Sequence, residues 1–175
     1  MTDINLTSAE DRSQADAGAD GAIVEMIELL FFAYRDFVSE PDKILTAYGF
    51  GRAHHRVIHF VGRHPGICVA ELLDILRITK QSLGRVLRQL IDTGHVLQVS
   101  GKSDRRQRLL FLTPRGQELH GRLMAPQAAR VRAAIAAAGP GGGAASRDVL
   151  FRLVDDADRG HVLALLDRAT IRDAG

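Results

Sequence analysis

Across the first twenty residues, MTDINLTSAEDRSQADAGAD, small, polar and acidic side chains follow one another without a sustained period. The segment 1–20 is expected to be a disordered tail. The pattern changes at Gly21. Ile23, Met26, Ile27, Leu30, Tyr34, Phe37 and Val38 recur at steps of three and four, the repeat of an amphipathic helix. Leu29, Phe31 and Phe32 widen the apolar surface well beyond one stripe. Such a helix is buried either at the centre of a core or against a second subunit, and its breadth favours the subunit interface. Pro41 is expected to end or kink it, because proline disfavours helical geometry in the residue before it.

Gly49 and Gly51 mark the next junction. A second helix is predicted over about Arg52–Arg63 with Val57, Ile58 and Val61 inward, then a Pro65-Gly66 turn. A short helix over about Val69–Arg77 carries Leu72, Leu73 and Leu76. Thr79 is a good N-cap for the next helix, which runs to about Thr93 and stops at Gly94. The period then drops to two. His95–Ser100 and Gln107–Leu112 read as strands around the polar loop Gly101-Lys102-Ser103-Asp104-Arg105-Arg106. Thr113 caps a long helix with Pro114 at its first position; it reaches about Ala138, with Pro126 expected to bend it. Gly139–Gly143 reads as a flexible break before two short amphipathic segments, around Asp148–Val154 and His161–Ala169.

Two helices joined by a tight turn and followed by a hairpin make a winged helix-turn-helix. The expected fold class is therefore mainly α (α+β). Its second helix can be tested position by position. At about 100° per residue, Leu83, Val86, Leu87 and Leu90 share one face, and Gln81, Arg85, Arg88 and Gln89 the opposite one. Arg can bond guanine and Gln adenine bidentately in the major groove. Thr79, Lys80 and Ser82 lie at the helix N-terminus, where backbone N–H groups and the dipole favour a phosphate. The competing reading is an ordinary solvated face.

Charge supports the first reading. The net charge of +2 hides an asymmetry: residues 1–46 hold three basic and ten acidic side chains, residues 47–132 fifteen and five, and residues 133–175 five and six. A basic middle suggests a polyanion contact confined to one module, with an Arg-rich surface as the alternative. Lys102, Arg105, Arg106 and Arg108 crowd the hairpin, opposed only by Asp104. A thin β-loop cannot bury four cations. Arg105 or Arg106 suits a narrow minor groove, Lys102 a phosphate, and Asp104 can hold a neighbouring guanidinium. From Thr79 to Arg108 seven basic residues face two acidic ones, so binding should be strongly salt-dependent.

Here the chain resembles the MarR family of winged-helix transcriptional regulators. The matching stretch runs from about Tyr48 to Glu118. Its most specific parts are Asp104-Arg105-Arg106 followed by Leu112-Thr113-x-x-Gly116, and the helix start Thr79-Lys80-Gln81-Ser82-Leu83. The resemblance implies a homodimer whose first and last helices interleave and whose paired modules bind a pseudo-palindromic operator on double-stranded DNA. It also implies a repressor released by a small-molecule effector whose identity the sequence leaves unknown. The domain plan is then a tail (1–20), a dimerisation helix region (21–50), the winged helix-turn-helix (51–113), and C-terminal helices completing the dimerisation domain (114–175). The Gly-rich break and the longer C-terminal segment depart from the usual pattern.

Other chemistry is less supported. His55 and His59 have the spacing of a helical metal pair, but no HExxH glutamate accompanies them and no third ligand is evident locally. His54 aligns with Ile58 and Val61, where a hydrogen-bonded core histidine is expected. No metal and no cofactor are expected. Cys68, the single cysteine, excludes an internal disulfide and is expected to be buried rather than a redox sensor. Gly139–Gly143 lacks the Lys and Ser/Thr of a phosphate loop, and no nucleophile–base arrangement suggests an enzyme. No apolar run approaches the roughly 20 residues of a membrane helix, and the acidic start lacks the features of a signal peptide. A cytoplasmic protein with no membrane partner is expected. The alternative function is a winged-helix protein–protein adaptor without specific DNA binding.

Overall fold

The computed structural model describes residues 7–101 and 107–173, and divides into two units, Met1–Ser39 and Glu40–Gly175. Helix α1 (Thr7–Thr46) begins inside the segment expected to be a disordered tail. Residues 7–20 hold four alanines together with Glu10, Arg12 and Gln14, all of which favour helix with or without a buried face. Missing periodicity there signals a missing apolar face, not a missing helix. Neither does Pro41 end α1: the helix continues to Thr46. Burial of Pro41 and of Leu45, one turn on, offsets the backbone hydrogen bond that a proline removes.

In the second unit α1 is followed by α2 (Arg52–Arg63), β1 (Ile67–Cys68), α3 (Val69–Leu76), α4 (Lys80–Asp92), β2 (Val96–Ser100), β3 (Arg108–Leu112) and α5 (Pro114–Ala137). The strands form an antiparallel sheet in the order β1-β3-β2, with Ile67 opposite Leu110 and Leu97 opposite Phe111. Strand β1 is an addition to the sequence reading; two residues are too short to show a period. The core lies between α2, α3, α4, the sheet and the start of α5. Val57, Ile58, Val61, Leu72, Leu83, Leu90, Leu110 and Leu123 are all fully buried there. Both expected threonine caps form. Thr79 Oγ1 accepts from the Ser82 backbone N–H, and Thr113 Oγ1 from that of Gly116, each at 3.1 Å.

Helices α6 (Gly142–Arg152) and α7 (Asp156–Asp173) are longer than the segments expected. The glycine run spans a tight turn and enters α6. Gly139 and Gly141 take φ +77° and +83°, while Gly142 and Gly143 open the helix. A Cβ on Gly142 would stand 2.6 Å from that of Ala138, so this close approach calls for glycine.

Candidate nucleic-acid interface

Helix α4 presents two unlike faces. Leu83, Val86, Leu87 and Leu90 are buried; Lys80, Gln81, Arg85, Arg88 and Gln89 are exposed, as is the Thr79 cap, with Ser82 half-buried. A helix so anchored can offer its outer face without unfolding its inner one. Beside that face an open groove of about 390 Å³ is lined by Lys80, Gly84 and Arg88 of α4 and Gln98 of β2.

Gln89 differs from its neighbours. Its Oε1 lies 2.8 Å from His54 Nε2, and its amide donates to the Gly49 carbonyl at 3.4 Å. His54 Nδ1 accepts from the Gly51 backbone N–H at 3.1 Å, so the neutral ring's proton sits on Nε2 and is donated to Gln89. The ring stacks on Phe50, centroids 4.7 Å apart and planes within 4°. His54 is thus the hydrogen-bonded structural histidine the sequence suggested, although half-buried. Its partner, 35 residues away, carries no local signal in the sequence. Gln89 ties α4 to α2 and to the junction before it.

The C-terminal cap of α4, one turn beyond Gln89, is tied to α5. Thr93 Oγ1 bonds His95 Nδ1 at 2.9 Å, and Arg115 donates to the Thr93 carbonyl at 3.1 Å. Thr113 donates through its hydroxyl to the Gly94 carbonyl (2.6 Å) and through its backbone N–H to that of His95 (3.1 Å). A Cβ on Gly116 would stand 2.0 Å from that same His95 oxygen. The Thr113-x-x-Gly116 motif therefore joins the end of α4, the wing root and α5 at one point. His95 is 1 % exposed, and burial, aided by Arg115, holds its pKa below the ordinary histidine value.

The wing is closed at its base by the Gly101 N–H donating to the Gln107 carbonyl (3.0 Å), and Arg108 donates to Ser100 Oγ at 2.9 Å. Lys102, Asp104, Arg105 and Arg106, predicted to contact DNA, lie outside the described residues.

Three further histidines, His55, His59 and His120, gather between α2 and α5. His55 is buried, and the rings of His59 and His120 lie 5.9 Å apart. Burial lowers all three pKa values. For His59 it does so to about 4, reinforced by the positive potential of His120, His55, Arg63 and His64. Among the described residues no group of three His, Cys, Asp or Glu side chains could hold a metal ion. Cys68, expected to be buried, is half-buried at the cap of α3, its N–H donating to Glu71 Oε2 at 3.0 Å. No helix among the described residues is long and apolar enough to cross a membrane.

A helix buried on one side and bearing Gln and Arg on the other, preceded by α3 across a tight turn and followed by a hairpin, defines a winged helix-turn-helix protein. The sequence model of the MarR family matches residues 48–107. The HTH-type transcriptional regulator PetP of Rhodobacter capsulatus is 46% identical over 163 residues, covering 87% of this chain and 98% of PetP. The chain belongs to the MarR family of transcriptional regulators. Solved structures share the fold. MarR family transcription regulator SP03579 superposes with a TM-score of 0.67 at 16% identity, over 79% of this chain and 92% of its own. Streptococcus pneumoniae FabT, solved in complex with DNA, superposes at 0.57 with 18% identity, over 79% and 94%.

Proposed function

We propose that the protein is a homodimeric, cytoplasmic repressor that binds a pseudo-palindromic operator on double-stranded DNA and is released by a small-molecule effector. The observation that carries the reading is the outer face of α4, where Gln81, Arg85 and Arg88 stand exposed over a fully packed inner face. These three contact base edges. Thr79, Lys80, Ser82 and Lys102 contact phosphate, Arg105 or Arg106 enters the minor groove, and Asp104 orients a neighbouring guanidinium. Gln89, assigned to the base-reading face by helical angle alone, serves to hold α4 in place. The FabT–DNA complex supports the use of this fold on a duplex.

Dimerisation is supported by the first unit, in which Ile23 is 62% and Phe31 71% exposed, an apolar surface that a second copy would cover. Residues 21–50 and 114–175 then belong to the dimerisation domain and residues 51–113 to the DNA-binding one. The test is fluorescence anisotropy on a duplex from the region upstream of the protein's own gene, with and without unrelated competitor DNA. Binding that survives competitor is expected; equal loss to any competitor contradicts sequence-specific reading.

A further inference from the structure

One basic side chain at the helix-turn-helix falls outside the set above. Arg77 caps the C-terminus of α3, its backbone N–H bonded to the Leu73 carbonyl at 3.0 Å. Among the described residues it is the one non-glycine in the left-handed region, at φ 51°. That conformation reverses the chain within two residues, from the end of α3 to the Thr79 cap of α4. When a helix-turn-helix docks, its first helix crosses the phosphate backbone and its second enters the groove. The turn between them is carried at phosphate level. A guanidinium there, 70% exposed, is placed as a phosphate ligand.

In this structure the guanidinium holds an anion already, Asp158 Oδ1 at 2.6 Å, from the first turn of α7. A second ion pair joins the same two helices, Arg168 of α7 to Glu71 of α3 at 3.1 Å. The two pairs set α7 antiparallel to α3. Val162, Leu165 and Ala169 follow Asp158 along one side of α7, and that side is its shielded one. The contact is therefore a docked helix whose leading carboxylate meets the arginine of the turn.

We propose that Arg77 is a further phosphate-contact residue and that Asp158 occupies its guanidinium until duplex arrives, so that α7 competes with DNA for the end of α3. The inference rests on the DNA-binding reading above. Both partners are substantially exposed, so the pair is weak and phosphate displaces it at small cost. The device sets affinity; it does not lock the protein off DNA. Contacts of this kind carry no sequence information, so every duplex feels them equally.

The test is a double-mutant cycle on the full-length protein, titrated at several salt concentrations with a random-sequence duplex and with the upstream duplex. Arg77→Asn suits the turn, because asparagine tolerates the left-handed region; Arg77→Gly is the second variant should the first not fold. Loss of Arg77 should weaken both duplexes and flatten the salt slope by about one unit. Asp158→Asn should tighten both by about two- to fivefold. In the Arg77→Asn background the Asp158 substitution should change nothing. An unchanged slope without Arg77, an unchanged affinity without Asp158, or equal tightening in both backgrounds would each overturn the proposal. If Arg85→Ala still alters binding in those cases, the DNA reading stands without it. If the unsubstituted protein ignores every duplex at low salt, that reading fails first and takes this inference with it.

Discussion

A Cβ on Gly116 would meet a backbone oxygen that cannot swing aside, so Gly116→Ala must displace either the start of α5 or the strand root at His95. The expected cost is about 3 kcal/mol, read from urea unfolding. A change within about 0.5 kcal/mol would refute the close approach. His59 gives a prediction of a different kind. Its pKa of about 4 when folded lies below the ordinary 6.5, so the unfolded chain binds the extra proton. Its contribution to stability is complete above about 6.5 and is lost as pH falls toward 4. His55 and His120 act in the same direction. Melting temperature should therefore drop between neutral and mildly acid pH, and His59→Gln should make the drop shallower. Parallel pH profiles for the two proteins would count against the buried-histidine explanation.

At the scale of the element, α4 is held at three places: the Thr79 cap, the Gln89–His54 tie and the Thr93–Arg115 contact. Its functions separate by mutation. Arg85→Ala should relax preference at one base position and cost roughly 1–3 kcal/mol of specific binding. Gln89→Ala should lower stability and leave base preference unaltered; a changed preference would return Gln89 to the reading set. The faces of α4 are legible in its sequence because a 3.6-residue period sorts Leu83, Val86, Leu87 and Leu90 from Arg85 and Arg88 within 13 residues. The caps at Thr79 and Thr113 are equally local. What joins distant segments is not. The His54–Gln89 bond spans 35 residues, β1 exists only through its pairing with β3, and the Arg77–Asp158 contact spans 81. Helical angle put Gln89 on the exposed, DNA-facing side of α4 because it ranks exposure and takes no account of partners such as His54.

Over the whole molecule, basic charge and the apolar face of α1 lie on different parts of the chain. Ten of the 21 acidic residues fall before Ala47, where the helix also carries its exposed apolar side chains, and fifteen of the 23 basic ones between Ala47 and Arg132. A single copy leaves that apolar helix face exposed, the kind of patch that marks an interaction surface. Phe31→Asp should convert a dimer to a monomer in light scattering and reduce DNA affinity with it. A dimer of unaltered strength would remove Phe31 from the interface. The broad apolar surface of α1 was readable from Ile23 onward, whereas the helix before it was not, since residues 7–20 have no apolar face to announce it. Lys102→Ala should weaken binding to all sequences and flatten the salt slope by about one unit, the signature of one phosphate contact. The most direct measurement is selection of bound sites from a random duplex pool by the full-length protein. Enrichment of a twofold-symmetric sequence, degraded at one position per half-site by Arg85→Ala, is the predicted result. A pool that emerges no more ordered than it entered would contradict the assignment of α4 as a reader of bases.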